Sequence, residues 1–206
     1  MGRDKALLEV GGTALVSIAA HALHHAGATP VLAVGGDPAA LQQVSPLLVP
    51  VADDSPGEGP LGGLLTAFRH ARERRPGPGT LVVVIACDMP SIDAATIRAL
   101  VDALVAAPDA AVAAAVVDDR PQPLTAAWRP ARAEPVLRAG FASGERAPRR
   151  LLPRLGVVPV VGLTPSSLVD VDRPEDLAAL DTAGASDSGT VPHGPEGSEH
   201  HMESAP

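Results

Sequence analysis

Asp88 stands at the end of an apolar run, LVVVIACDMPSI over residues 81–92, and the chain then turns through Pro90. A run apolar on both faces reads as a strand buried in the middle of a parallel sheet. Ligands of open α/β sheets sit beyond the carboxyl ends of the strands, so Asp88 falls where chemistry is usually done. A carboxylate there needs a partner, because burying it alone is costly. A magnesium ion bridging phosphates is one such partner; a cap on the following helix is the other. Cys87 beside it reads as a small packing residue. Lys5, in Gly2-Arg3-Asp4-Lys5 ahead of a short apolar run, could set a point charge against a triphosphate or stay solvated. Asp53 and Asp54 share a Gly/Pro loop, ADDSPGEGP over 52–60. They could recognise ribose or base or assist a metal, or they could bond the local backbone as turn aspartates do. Gly59-Pro60-Leu61-Gly62-Gly63 then leads into a helix, either as an anion-binding approach or as a tight turn. Gln122-Pro123, with Arg120 before it, lies in an expected turn and could face a second substrate. Glu145 and Arg146 precede a basic segment with Arg149 and Arg150, which could hold a phosphate or form a solvated face.

The elements that must position these residues follow from periodicity and punctuation. Helical spacing covers 14–26, 39–44, 61–75, 93–107, 131–140 and 147–155, with Ser91 or Asp93 as the cap of the fourth. Strands are expected at Val31–Val34, Leu48–Val51, 81–86, 111–117, 124–128, 157–161 and 168–171, with a turn at 118–123. Residues 174–180 begin as a helix should, with Pro174 near its first turn and Asp172 as a candidate cap. Strand–helix alternation through residue 100 argues a three-layer, Rossmann-like α/β domain with a mainly parallel, mixed sheet, the later strands adding an antiparallel part. One domain is expected over 1–182. The Gly/Ser/Pro/His-rich stretch 183–206 reads as a disordered polar tail in which His193, His200 and His201 are solvated.

Composition narrows the function classes. At 206 residues the chain can bury a sizeable core, and one Trp, two Phe and no Tyr make that core aliphatic. A net charge of −8 disfavours nucleic acid and anionic membrane as partners. A single cysteine rules out an intrachain disulfide and a Cys-rich zinc site, and fits a cytoplasmic setting. No apolar run is long enough for a membrane span.

Taken together, MGRDKALLEVGG, DDSPGEGPLGGL, VVVIACDMPSI, RPQPLTAAW and VDVDRPEDL resemble the molybdenum cofactor guanylyltransferases and their cytidylyltransferase relatives, over about residues 1–180. The resemblance implies a nucleotidyltransferase: the phosphate of molybdopterin attacks the α-phosphorus of GTP and displaces pyrophosphate, with Mg²⁺ bound. It implies that Lys5 contacts the nucleotide phosphates, that Asp54 lies in the nucleotide site, and that Asp88 binds nucleotide and magnesium. Gln122, Pro123, Arg146, Asp170 and Asp172 would lie toward the pterin. A molybdoenzyme or its maturation protein is the implied protein partner.

Two departures bear on activity. Gly35 stands where some family members carry an amide side chain near the base, which weakens the choice of GTP over CTP. Family members also place a strand and a Gly-rich loop ahead of the Met1 equivalent. Either the start lies further upstream, or the sheet has an open slot beside residues 81–86, with poor solubility and little nucleotide binding to follow. The alternatives are a molybdopterin cytidylyltransferase, a sugar-phosphate nucleotidyltransferase, or a non-catalytic binding relative.

Overall fold

Gly11 and Gly12, with φ of +56° and +76°, turn β1 (Glu9–Val10) back onto β2 (Thr13–Ala14), a tight turn that needs positive φ at both central residues. The chain enters α1 (Leu15–His25), β3 (Val31–Val34), α2 (Pro38–Val44) and β4 (Leu48–Val51). Asp37 caps α2 by accepting from the amides of Ala39 (2.8 Å) and Ala40 (3.3 Å). Next come α3 (Pro60–Arg74), β5 (Val82–Ile85), α4 (Ala94–Ala106), β6 (Val112–Val117), β7 (Arg120–Trp128), α5 (Pro130–Ala142) and β8 (Val157–Val160). Of the two candidate caps for α4 it is Asp93 that serves, accepting from the Thr96 amide at 2.7 Å. This computed structural model describes residues 5–169. The helix expected at 174–180, the stretch 183–206, Asp170 and Asp172 lie outside the described residues.

The architecture is α/β in three layers. One core joins α3 and α5 to the sheet through Leu61, Leu65, Phe68, Trp128 and Leu137. Phe68 and Trp128 meet edge-on at 5.8 Å there. On the opposite face α4 covers the sheet through Leu100 and Leu104, and α1 packs beside it through Ala19, Ala22 and Ile97. Glu134 ties the first pair of helices together, accepting from Arg72 of α3 and from Arg138 of its own helix.

Four expectations are corrected. The first concerns residues 81–92. The strand β5 is not in the middle of a parallel sheet; it pairs antiparallel with β7, in a sheet ordered β5-β7-β6-β8, and its four residues are only half-buried. Hydrophobic patterning reports burial, not partner direction, and the β6–β7 hairpin puts β7 against β5. The parallel pairings are β3–β4 and β6–β8. Second, the turn expected at 118–123 is only Asp118-Asp119, both at positive φ (48° and 58°), so Gln122 and Pro123 belong to β7 rather than to a turn. Third, residues 147–155 form two short 3₁₀ turns, Pro148–Arg150 and Leu152–Arg154, instead of a helix. Pro153 removes an amide that a helix there would use and clashes with the preceding turn. Leu168 likewise ends a 3₁₀ turn, Pro165–Leu168, in place of starting a strand.

The β3–β4 pair is separate from the four-stranded sheet among the described residues. Between β3 and β5 lies an apolar cleft of about 1000 Å³, walled by α1 on one side and α3 on the other. The half-burial of β5 follows from that open flank.

Candidate nucleotide site

The loops after β3, β4 and β5 emerge at one end of the molecule. The amide of Gly35 donates to the Val51 carbonyl at 2.9 Å, holding the first two loops together. A Cβ built on Gly35 would sit 4.0 Å from that of Asp53. Lys5 opens a 3₁₀ turn, Lys5–Leu7, whose Ala6 and Leu7 pack in the same apolar cluster as Ala33 and Cys87. Lys5 thus precedes residues that pack on the same cluster as Cys87, the neighbour of Asp88. Beyond β5, the longer β7 continues alongside the Asp88 turn. The Ala86 amide donates to the Leu124 carbonyl at 2.8 Å, and the Thr125 hydroxyl reaches the Met89 sulfur at 3.2 Å. Gln122 and Pro123 therefore overhang the end of β5 on the side of Asp88. The Gln122 amide nitrogen donates to the Arg120 carbonyl at 3.2 Å.

The loop 52–60 is pinned from both ends. At its start, Asp53 accepts from the Ser55 amide and from the Thr66 hydroxyl, each at 3.0 Å, while the Asp54 amide donates to the Thr66 oxygen at 3.1 Å. Arg69, one helical turn after Thr66, grips the Asp54 carboxylate with two parallel bonds, Nε to Oδ2 at 2.6 Å and Nη2 to Oδ1 at 2.8 Å. Its remaining nitrogen, Nη1, donates to Glu73 at 2.8 and 3.0 Å. The Arg69 hydrogen bonds hold the Asp54 carboxyl below the usual carboxylate range, outweighing partial desolvation. At the loop's far end the Arg146 guanidinium pairs with Glu58 and lies over the Phe141 ring, 4.3 Å from its centroid. The Arg146 carbonyl accepts from the Leu61 amide at 3.1 Å. Gly59, at φ +77° and ψ 179°, makes the approach possible, since a Cβ there would lie 3.2 Å from the Arg146 Cβ. Glu145 accepts from the amides of Ala147 and Arg146, which hold it ionised below its ordinary range.

Asp54 thus lies on the loop after β4, Asp88 in the turn after β5 with Gln122 and Pro123 of β7 beside it, and Lys5 in the first 3₁₀ turn. Arg146 holds the 52–60 loop, and its guanidinium is engaged with Glu58 and the Phe141 and Glu145 carbonyls. Arg149 and Arg120 border a separate, shallower hollow with Leu152 and Leu155. Thr66, Arg69 and Glu58 were not legible as site residues. Arg69 and Asp54 are 15 residues apart, and only the fold of α3 against the loop brings them together.

Among the described residues no three His, Cys, Asp or Glu side chains are grouped to hold a metal. A hard divalent ion that takes one or two protein carboxylates and completes its shell with phosphate oxygens and water does not need such a group. Asp88, in the turn that follows β5, is the acid whose position would let it serve as such a carboxylate.

Comparison with known proteins places the chain. Residues 1–158 match the model of the MobA-like NTP transferase domain. The chain is 33% identical over 159 residues to a molybdenum cofactor guanylyltransferase of Pseudomonas putida, an alignment that covers 76% of each protein. It is 38% identical over 96 residues to a probable molybdenum cofactor guanylyltransferase of Opitutus terrae, covering 46% of this chain and 45% of that one. Among solved structures it resembles the molybdopterin-guanine dinucleotide biosynthesis protein A of Archaeoglobus fulgidus, with a TM-score of 0.69, 21% identity and coverage of 90% and 92%. It also resembles the 2-C-methyl-D-erythritol 4-phosphate cytidylyltransferase of Thermus thermophilus, with a TM-score of 0.63, 20% identity and coverage of 89% and 95%. At these identities the two structures speak for the fold, a Rossmann-like nucleotidyltransferase domain.

Proposed function

The chain belongs to the MobA-like NTP transferase domain family, and on that premise we propose that it transfers GMP from GTP to molybdenum-bound molybdopterin and releases pyrophosphate. The observation that carries the reading is the pinned 52–60 loop, which fixes Asp54 after β4, with Asp88 following β5 under the overhang of β7. Transfer of this kind needs alignment and charge neutralisation more than covalent catalysis. An oxygen of the pterin phosphate attacks the α-phosphorus, the bond to the bridging oxygen breaks, and pyrophosphate carries away the negative charge. In this reading Lys5 neutralises the triphosphate as a point charge, Asp54 accepts a hydrogen bond from the nucleoside, and Asp88 would hold magnesium. Magnesium, when bound, supplies further neutralisation of the phosphates. Gln122 and Pro123, overhanging β5, form the wall on which the pterin would lie. Soluble substrates suit this chemistry, and among the described residues no helix is long and apolar enough to cross a membrane. We place the enzyme in the cytoplasm, with a molybdoenzyme or its maturation protein as recipient.

The choice of base is the finer part of the proposal. The Gly35 amide is spent on Val51, so at that position only its carbonyl can face a base. An acceptor there suits the amide and amine donors of guanine and the amine of cytosine, which is why the assay compares both. Pyrophosphate release is measured from GTP and from CTP with molybdopterin and Mg²⁺, for the wild-type chain and Asp88→Asn. Faster release from GTP, lost in Asp88→Asn, supports the reading. Undiminished turnover in that variant refutes the metal role, and faster release from CTP replaces the guanylyl assignment with a cytidylyl one. The cleft between β3 and β5 favours a second reading, a relative that binds the pterin without transfer, for which no nucleotide would release pyrophosphate.

A further inference from the structure

We propose that Arg69 is a positioning residue of the nucleotide site, presenting Asp54 to the bound nucleoside in one fixed orientation. The inference rests on the reading of Asp54 as a nucleotide-site acid.

The geometry is specific. A guanidinium is a planar fork, and here it meets both oxygens of one carboxylate at 2.6 and 2.8 Å. The third nitrogen is anchored by Glu73 one turn further along α3, and His70 Nε2 lies 2.9 Å from Nη2. Arg69 therefore has little freedom to swing, and neither does the acid it holds. The Asp54 backbone is fixed in turn by Thr66, so both the peptide and the carboxylate of this residue are set by two side chains on one face of α3. A carboxylate has about four acceptor sites. The fork takes two, and the remaining two face away from the guanidinium, where they can accept from a hydroxyl or a base amine.

Charge points the same way. An isolated carboxylate beside a triphosphate repels it. Pairing with Arg69 cancels that charge while leaving acceptor capacity. The charged and titratable groups acting on Asp54 are Arg69 and His70 from α3 and Arg138 from α5, with Glu73 beyond Arg69 and Asp53 adjacent in the chain. Arg69 is the group among them that touches its carboxylate. Lysine could supply the charge but not the fork, so a lysine there would neutralise Asp54 without orienting it.

The test is equilibrium binding of GTP with Mg²⁺, from about pH 3 to 8, for the full chain and for Arg69→Gln, Arg69→Lys, Asp54→Asn and the double variant Arg69→Gln/Asp54→Asn, with thermal unfolding of each. Arg69→Gln is expected to weaken GTP binding about tenfold, and Arg69→Lys nearly as much, because the bidentate contact is lost in both. The acid limb of binding moves to higher pH in Arg69→Gln, since Asp54 regains an ordinary carboxylate titration, and it is missing in Asp54→Asn. The double variant binds no worse than Asp54→Asn alone, the mark of two residues acting through one group. Three results overturn the inference while leaving the nucleotide site intact. These are wild-type GTP binding in Arg69→Gln, an additive loss in the double variant, or a lowered unfolding temperature with an unmoved acid limb. If the wild-type chain binds no GTP at all, the nucleotide reading itself fails and takes this inference with it.

Discussion

Gly59→Ala is the perturbation that most directly separates the two meanings of the Gly59-Pro60-Leu61-Gly62-Gly63 segment. Gly59 sits at φ +77° and ψ 179°, a region open essentially to glycine alone. Forcing alanine into it costs about 1–3 kcal/mol in backbone strain. The new Cβ would also press on Arg146, 3.2 Å from its Cβ and 3.3 Å from its carbonyl oxygen. That carbonyl accepts from the Leu61 amide, so relief of the clash opens the contact that seats α3. For a domain of this size the strain alone lowers the unfolding temperature by about 2–12 °C. Gly63→Ala is the matched control. Gly63 is inside α3, and a Cβ there meets nothing within 4 Å. Alanine is better than glycine in a helix by roughly 0.5–1 kcal/mol, so this variant holds or gains stability. Calorimetric unfolding of both, with hydrogen exchange at the Leu61 amide, decides the matter. Gly59→Ala is expected to melt lower and to exchange faster at Leu61; Gly63→Ala is expected to do neither. An unfolding temperature for Gly59→Ala within a degree or so of wild type would refute the argument, because it would mean that the loop adopts another path at no cost.

Other outcomes follow from the same structure. Glu134→Gln should destabilise the protein by about 1–2 kcal/mol at pH 7, a buried-pair loss discounted for the exposure of both arginines. Burial by itself raises the Glu134 carboxyl, but the bonds from Arg72 and Arg138 outweigh it and the net shift is downward. The Glu134 contribution is therefore fully present above the ordinary glutamate range and is lost as pH falls through the lowered folded value, so the two proteins should converge in melting temperature under acid. Trp128→Phe deletes the buried bond from Nε1 to the Pro123 carbonyl, 3.1 Å, and should cost about 2 kcal/mol. Denaturant titration reads that loss, and near-neutral behaviour would show that water replaces the indole. Amides of β5 should exchange faster than those of Val112–Val117 in β6, because among the described residues β5 has a strand partner on one side and β6 on both. Equal protection at moderate protein concentration, falling on dilution, would instead mean that copies of the chain pair through that edge.

Much of the scaffold was legible because it rests on local rules. The amphipathic spacing of α1, α3 and α4, the Asp93 cap, and the strands Val31–Val34 and Leu48–Val51 all follow from periodicity and capping chemistry. The family, and the α/β class with it, could be read from motifs that survive in order along the chain. What tertiary structure alone decided is direction, pairing and partnership. Nothing local in residues 81–86 tells whether the neighbouring strand runs parallel or antiparallel; the hairpin at Asp118-Asp119 determines that by carrying β7 back against β5. The acids tell the same story. Asp53 and Asp54 could each have been a turn former or a ligand-binding group on sequence. Packing α3 beneath their loop gave Asp53 to Thr66 and Asp54 to Arg69, because a carboxylate half-withdrawn from water takes the nearest donors that can reach it. Asp88 lies in the turn just after β5, and the pairing of β5 with β7 brings the overhang of β7 to its side.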